Sequence, residues 1–225
     1  VAPLCACLAL KGCRVAYVMT DAASLPAPWS RTIHELKDSG LMTGVVTVGN
    51  AWGGDLEAVN IFSGLLAAHA VWRPDVIVAA MGPGIVGTGT KWGFSGIEQG
   101  MILNAVNTLG GNPIAVPRIS FADPRERHRG LSHHTMTVLS EVCQVRVHLP
   151  LPLLKEEQAG VLERQVKAGG LQERHNVAYC DGHVVDEAFE RYLLKTTTMG
   201  RSKDQDYEFF LALGATAEFF HTMKG

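Results

Sequence analysis

No apolar run in the sequence approaches the roughly 18–20 residues of a membrane-spanning helix, so no membrane partner is expected. The five cysteines, Cys5, Cys7, Cys13, Cys143 and Cys180, contain no C-x-x-C pair. An odd count without ligand spacing argues against a zinc module and for free thiols, and so for a reducing cytoplasm. Neither charge is in excess: 20 Lys and Arg stand against 22 Asp and Glu, a net −2 at pH 7. A balance this even gives no electrostatic reason to bind nucleic acid. No internal repeat, low-complexity tract or composition shift marks a domain boundary, and residues 1–225 read as a single α/β domain. The chain also lacks an initial Met. Its start, "VAPLCACLALKGC", lacks the basic flank and cleavage signal of a leader peptide. It reads as an apolar helix, with an upstream segment expected before it.

What is present is alternation. Hydrophobic residues make up 47% of 225, enough for a sizeable core. Short apolar runs at 14–20, 44–49, 75–81, 113–121, 145–152, 175–182 and 195–200 read as strands. Helical stretches lie between them, at 28–40, 53–72, 96–111, 132–143, 155–170, 184–194 and 204–223. Continuous apolar strands separated by helices predict a doubly wound, mostly parallel sheet of six to seven strands in a three-layer α/β/α arrangement. Pro117 marks a bulge or edge position in its strand.

Polar and glycine-rich segments gather where strands end, and helix-to-strand connections are short and plain. Ligands of open parallel sheets bind outside the carboxyl ends of the strands, so that face is the expected site. The segment after residue 81, "GPGIVGTGTKWGFSGIEQG", matches G-x-G-x-x-G literally at Gly82, Gly84 and Gly87. Its context argues against a nicotinamide or flavin cofactor. No helix opens within it, and no acidic residue ends the next strand where a ribose contact belongs. Nor is it a Walker A loop, because Thr90 separates Gly89 from Lys91. What remains is a long loop with Thr88, Thr90, Lys91 and Ser95, suited to a phosphate or carboxylate or else simply tightly packed.

"ADPRERHRGLSHHT" is the densest ionisable segment. Arg118, Arg125, Arg127, Arg129 and, further on, Arg201 are candidate anion clamps, with a fork that lysine cannot supply. Ser132 reads as a helix N-cap, which places His133 and His134 in the first turn. The helix dipole there disfavours imidazolium, so neutral histidines are expected, serving as metal ligand or general base. His133, His134 and His128 are the candidate catalytic groups. Neighbours on a helix point about 100° apart, so one of the pair is expected at any one site. The spacing matches no H-E-x-x-H motif. Asp21, Asp55 and Asp123 are candidate ligands for a divalent metal that would reconcile carboxylates with an anionic substrate. Asp55 also reads as the cap of the helix carrying Asn60.

"GPGIVGTGTKWGFSGIEQG", "GGDLEAVN", "PRISFADPRERHRGLSHHT" and "TTMGRSKDQDYEFF" together resemble a bacterial family catalogued as a domain of unknown function, over the full length of the chain. The resemblance implies a bacterial, cytoplasmic protein, with an additional N-terminal segment in relatives. It carries over no catalytic residues. Relatives often have His at position 50, which makes Asn50 a poor candidate for an obligatory metal ligand. The expectation is a binder of a small anionic ligand and a homodimer. It is either an enzyme of the transferase or hydrolase type, a non-catalytic sensor, or a structural subunit.

Overall fold

The computed structural model describes residues 1–20, 24, 26–82 and 84–224. The apolar start folds as α1 (Ala2–Leu10), with Pro3 in its first turn, where a missing N–H costs nothing. Almost no polar residue interrupts α1, and most of it is buried. β1 (Val15–Thr20) follows, buried along its whole length. α2 (Arg31–Asp38) turns Ile33 and Leu36 inward, and Ser30 caps it by accepting the Ile33 N–H. β2 (Gly44–Val48), β3 (Leu56–Ala58), α3 (Ile61–Trp72) and β4 (Val76–Met81) complete the first half.

These four strands form one parallel sheet in the order β3-β2-β1-β4. Successive side chains of β1 part to opposite faces. Val15, Tyr17 and Met19 join α1 and α2 in one cluster, while Ala16 and Val18 meet Leu65 and Ala68 of α3 in another. β2 and β3 run parallel with only a loop between them. A Cβ on Gly54 would lie 2.8 Å from the Val45 carbonyl oxygen and 2.9 Å from the Thr47 nitrogen, so only glycine lets that loop cross the strand. Asn60, not Asp55, caps α3, in a reciprocal box with Ser63. The sheet grows from β1 towards β3 on one side, and the chain then returns to place β4 on the other. The crevice between the carboxyl ends of β1 and β4 is therefore the topological switch point.

The second half comprises α4 (Glu98–Thr108), β5 (Ile119–Ser120), β6 (Gly130–Leu131), α5 (His133–Thr137), β7 (His148–Pro152), α6 (Glu156–Ala168), α7 (Leu171–Arg174), β8 (Asn176–Cys180), α8 (Val184–Arg191) and α9 (Tyr207–Lys224). β5 and β6 pair antiparallel, and β7 and β8 pair parallel. The main sheet thus has four strands, where the sequence pattern predicts six to seven in one sheet. Prolines account for part of the difference. Pro113 and Pro117 lack the N–H a ladder needs, and segment 113–121 keeps only Ile119–Ser120 and one bridge from Ile114 to His148. Segment 195–200 forms no strand either. Met199 and Gly200 both have positive φ, 49° and 78°, and close a tight turn bridged from Thr198 to Arg201.

Leu149 and Leu151 of β7 anchor a second core with Leu131, Leu162, Val166 and Leu171. All five cysteines are free thiols. Among the described residues no helix is long and apolar enough to cross a membrane.

Candidate functional site

The glycine segment lies at the switch point. Gly82 sits against the Met19 side chain of β1, where a Cβ would collide. Thr20, the last residue of β1, donates its hydroxyl to Glu98 at the start of α4. Between these anchors the loop folds on itself. The Thr88 N–H reaches the Gly93 carbonyl at 2.7 Å, the Ser95 N–H the Val86 carbonyl at 2.8 Å, and the Val86 N–H the Ser95 hydroxyl at 3.0 Å. Thr90 Oγ1 accepts the Gly93 N–H at 3.1 Å. Much of the glycine content serves this self-packing. A Cβ on Gly87 would lie 2.9 Å from that of Phe94, and one on Gly93 would strike both Thr88 and Thr90. Gly84 and Gly89 are exposed, with φ of 99° and 86°. Lys91 pairs with Glu141 at 2.8 Å and lies 5.0 Å from the exposed Trp92 ring.

The tip of the loop meets the histidine segment. Phe94, buried, stacks on His134 with ring centroids 4.1 Å apart and planes 12° from parallel. Arg127 donates to the Gly89 carbonyl at 3.3 Å. Ser95 also donates to Met81 Sδ at 3.4 Å, which links the contact back to the carboxyl end of β4.

Here the three candidate histidines converge. Ring centroids are 4.2 Å apart for His133 and His134, 4.8 Å for His128 and His133, and 5.0 Å for His128 and His134. One ring nitrogen from each lies within 4.8 Å of the others. The 100° between neighbouring Cβ directions does not keep His133 and His134 apart, because side-chain torsions return both rings to the same side. His128 is buried, and its Nδ1 lies 2.8 Å from Ser132 Oγ. The same oxygen accepts the His134 N–H at 3.3 Å, so Ser132 both caps α5 and orients His128. His133 Nε2 is shielded from solvent with no hydrogen-bond partner among the described residues.

All three imidazoles are held neutral at pH 7. Burial, then the charge of Arg125 and the neighbouring His133, lowers His128 to about 4. Burial, then His133 and His128, lowers His134 to about 4. Burial and the charges of Arg127 and Arg125 lower His133.

The arginines divide differently. Arg125 grips Asp123 with two parallel bonds, Nε to Oδ1 at 3.0 Å and Nη2 to Oδ2 at 2.9 Å. Arg201 binds Asp206 Oδ2 through Nε at 3.0 Å and Nη2 at 2.8 Å, and Ser120 donates to Asp206 Oδ1 at 2.7 Å. Arg118 Nη2 and Arg201 Nη2 each stand 3.6 Å from Asp123 Oδ2, close enough for an ion pair and too far for a hydrogen bond. Arg118 also donates to Thr198 at 3.1 Å. Three arginines and two carboxylates thus join segment 118–125 to segment 198–206. Arg129 points elsewhere and lines a cavity of about 130 Å³ with Phe121, Glu157, Gln158 and Val161. A larger cavity of about 440 Å³ is lined by Arg146, Gln172, His175, Asn176, Val177 and Tyr179, none of them a candidate from the sequence.

Of the three candidate metal carboxylates, Asp55 binds Lys37 and the Val45 N–H, and Asp123 is held by arginines. The two share no partner among the described residues. Asp21 lies outside the described residues. Sequence reasoning did not anticipate Phe94 as a stacking partner, Asp206 as a second buried acid, or the double role of Ser132. Only the capping half of the last had a signal, a serine at a helix start.

Fold and site together define an α/β protein with a self-packed switch-point loop abutting three clustered histidines. The chain belongs to the family described as "Protein of unknown function (DUF3866)", whose model matches residues 1–217. No curated protein and no solved structure matches it.

Proposed function

We propose that the protein binds a small anionic ligand, phosphorylated or carboxylated, at the seam between loop 84–96 and segment 125–135, and acts on it as a hydrolase or transferase. The observation that carries this reading is the convergence of His128, His133 and His134 against the loop that caps the switch point. Such convergence of basic groups beside a ligand loop is how acid–base sites are built. His133, whose Nε2 is buried and without a hydrogen-bond partner among the described residues, is the base. Arg127 is the anion contact. It is exposed, it reaches Gly89 over the cluster, and no carboxylate holds it within ion-pair distance among the described residues. Arg118 and Arg201, clamps on sequence grounds, act from behind through their carboxylates. The layout in this reading is three-layered, with α3 on one face of the main sheet and α1 and α2 on the other. The compartment is the bacterial cytoplasm.

A thermal-shift screen without added metal, using inorganic phosphate and phosphorylated and carboxylated metabolites, tests the reading. A ligand present at about 100 times its Kd adds about 2.7 kcal/mol, roughly 5–10 °C in Tm for a chain of this size. The shift is expected to vanish in Arg127→Ala. Failure of every anion to raise Tm, or a shift that survives that substitution, contradicts it.

One observation favours a second reading, a subunit of a homodimer. Val59, just before α3, and Phe62 and Leu66 on it are apolar and exposed, at 84%, 42% and 52%.

A further inference from the structure

We infer that His128, His133 and His134 form a binding site for a divalent transition metal of the zinc class. The inference rests on reading this seam as the ligand site, and it changes who carries the chemistry there.

Three features converge on it. First, the geometry fits. Nitrogens about 2.0–2.1 Å from a shared tetrahedral zinc stand roughly 3.3 Å from one another, and the three candidate nitrogens already lie within 4.8 Å. Second, His133 Nε2 is shielded from water and has no partner among the described residues. Buried polar nitrogens are nearly always satisfied, and a metal supplies the partner this one lacks. Third, the cluster has the outer support that metal-bound histidines carry. With His128 giving Nε2 to the metal, its Nδ1–H donates to Ser132 Oγ at 2.8 Å, which fixes tautomer and ring plane. Phe94 clamps the ring of His134 in the same way by stacking.

The ligand set also indicates the metal class. Imidazole nitrogen suits zinc and its neighbours, and among the described residues no carboxylate joins the cluster to favour magnesium or calcium. Three neutral ligands leave the full 2+ charge in place and one coordination position open. An anion reaching that position would meet Arg127 as well, whose Nε lies 3.4 Å from His128 Nε2. This contact is long, and the exposed side chain can swing away from the nitrogen as the metal takes it. Of the other cations near the cluster, Arg125 is neutralised by Asp123, and Arg118 stands 3.6 Å from the same carboxylate.

Calorimetric titration of the chelator-treated full chain with Zn²⁺ alone tests the site. One equivalent per chain is expected. His133→Ala and His134→Ala, both at half-buried positions, are each expected to weaken binding by about 100-fold or more, since losing an outer-shell partner alone costs 10–100-fold. Circular dichroism confirms that each variant is folded before it is scored. His128 is fully enclosed, so His128→Ala is not decisive. Arg127→Ala is expected to bind Zn²⁺ at least as tightly as the parent, because a competing cation has gone. Absence of stoichiometric binding overturns the proposal. So does a His133→Ala, His134→Ala double variant that binds like the parent, since the metal would then sit on other groups such as the thiols. An arm with sulfate alone, without zinc, separates the two readings. Zinc binding with no anion effect in either arm keeps the metal site and removes the anion ligand. Anion binding without zinc binding does the reverse.

Discussion

Asp123 and Asp206 have side chains wholly shielded from solvent, and three arginines converge on them. A charge left alone in such a place is expensive, so the network is held by mutual need. Removing one partner strands another, and Asp206→Ala is expected to lower stability by about 3–5 kcal/mol in urea denaturation. The hydrogen bonds from Arg125 hold the Asp123 carboxyl far below the usual carboxylate range, against the opposing effect of burial. Its folded pKa is therefore lower than its unfolded value of about 3.9. The contribution is complete above that unfolded value and is lost as pH falls below it towards the folded pKa. Unfolding measured between pH 6 and pH 2.5 is expected to show this loss, and Asp123→Asn is expected to flatten it. The density of charge in 118–129 was visible in the sequence. Which arginine serves structure and which faces the seam was not: Arg125 turns to Asp123 two residues away, while Arg118 meets Thr198 80 residues on and Arg127 meets Gly89.

At the scale of elements, periodicity located most helices and the three long strands of the main sheet. It placed the switch-point loop correctly after β4. It missed β3, three residues long, and overread 113–121 and 195–200, where prolines and left-handed turns override apolar composition. The loop itself was ambiguous between ligand cradle and tight packing. Its internal bonds show how closely it packs: the glycines allow strand-like segments 86–88 and 93–95 to touch. Close approach recurs where the turn before α8 meets α9. Cβ atoms on Gly182 or Gly214 would collide with the backbone across that contact. Gly214→Ala is thus expected to cost at least about 1–3 kcal/mol, despite alanine's better helix propensity, measured as a lower urea midpoint with unchanged slope. Had the contact slack, the substitution would stabilise instead.

The whole molecule buries two large clusters and a smaller one, yet leaves Phe62 and Leu66 of α3, and Val59 just before it, exposed. If this face joins two copies, Leu66→Lys shifts the mass measured by light scattering from dimer to monomer while the Tm of the isolated fold changes little. A monomeric parent removes that reading. At this scale the sequence anticipated the α/β architecture, from apolar strands alternating with helices. It did not anticipate that segments 84–96 and 125–135 touch through Phe94 and Arg127, because stacking and guanidinium contacts leave no periodic trace. The histidine metal site at that contact is the centre of the account. The measurement that tests it most directly is an anomalous diffraction map at the zinc edge from crystals of the full chain grown with zinc. The account predicts one peak among His128, His133 and His134, roughly 2.0–2.1 Å from a nitrogen of each. A map with no peak there, or with its peak on the cysteines, would contradict it.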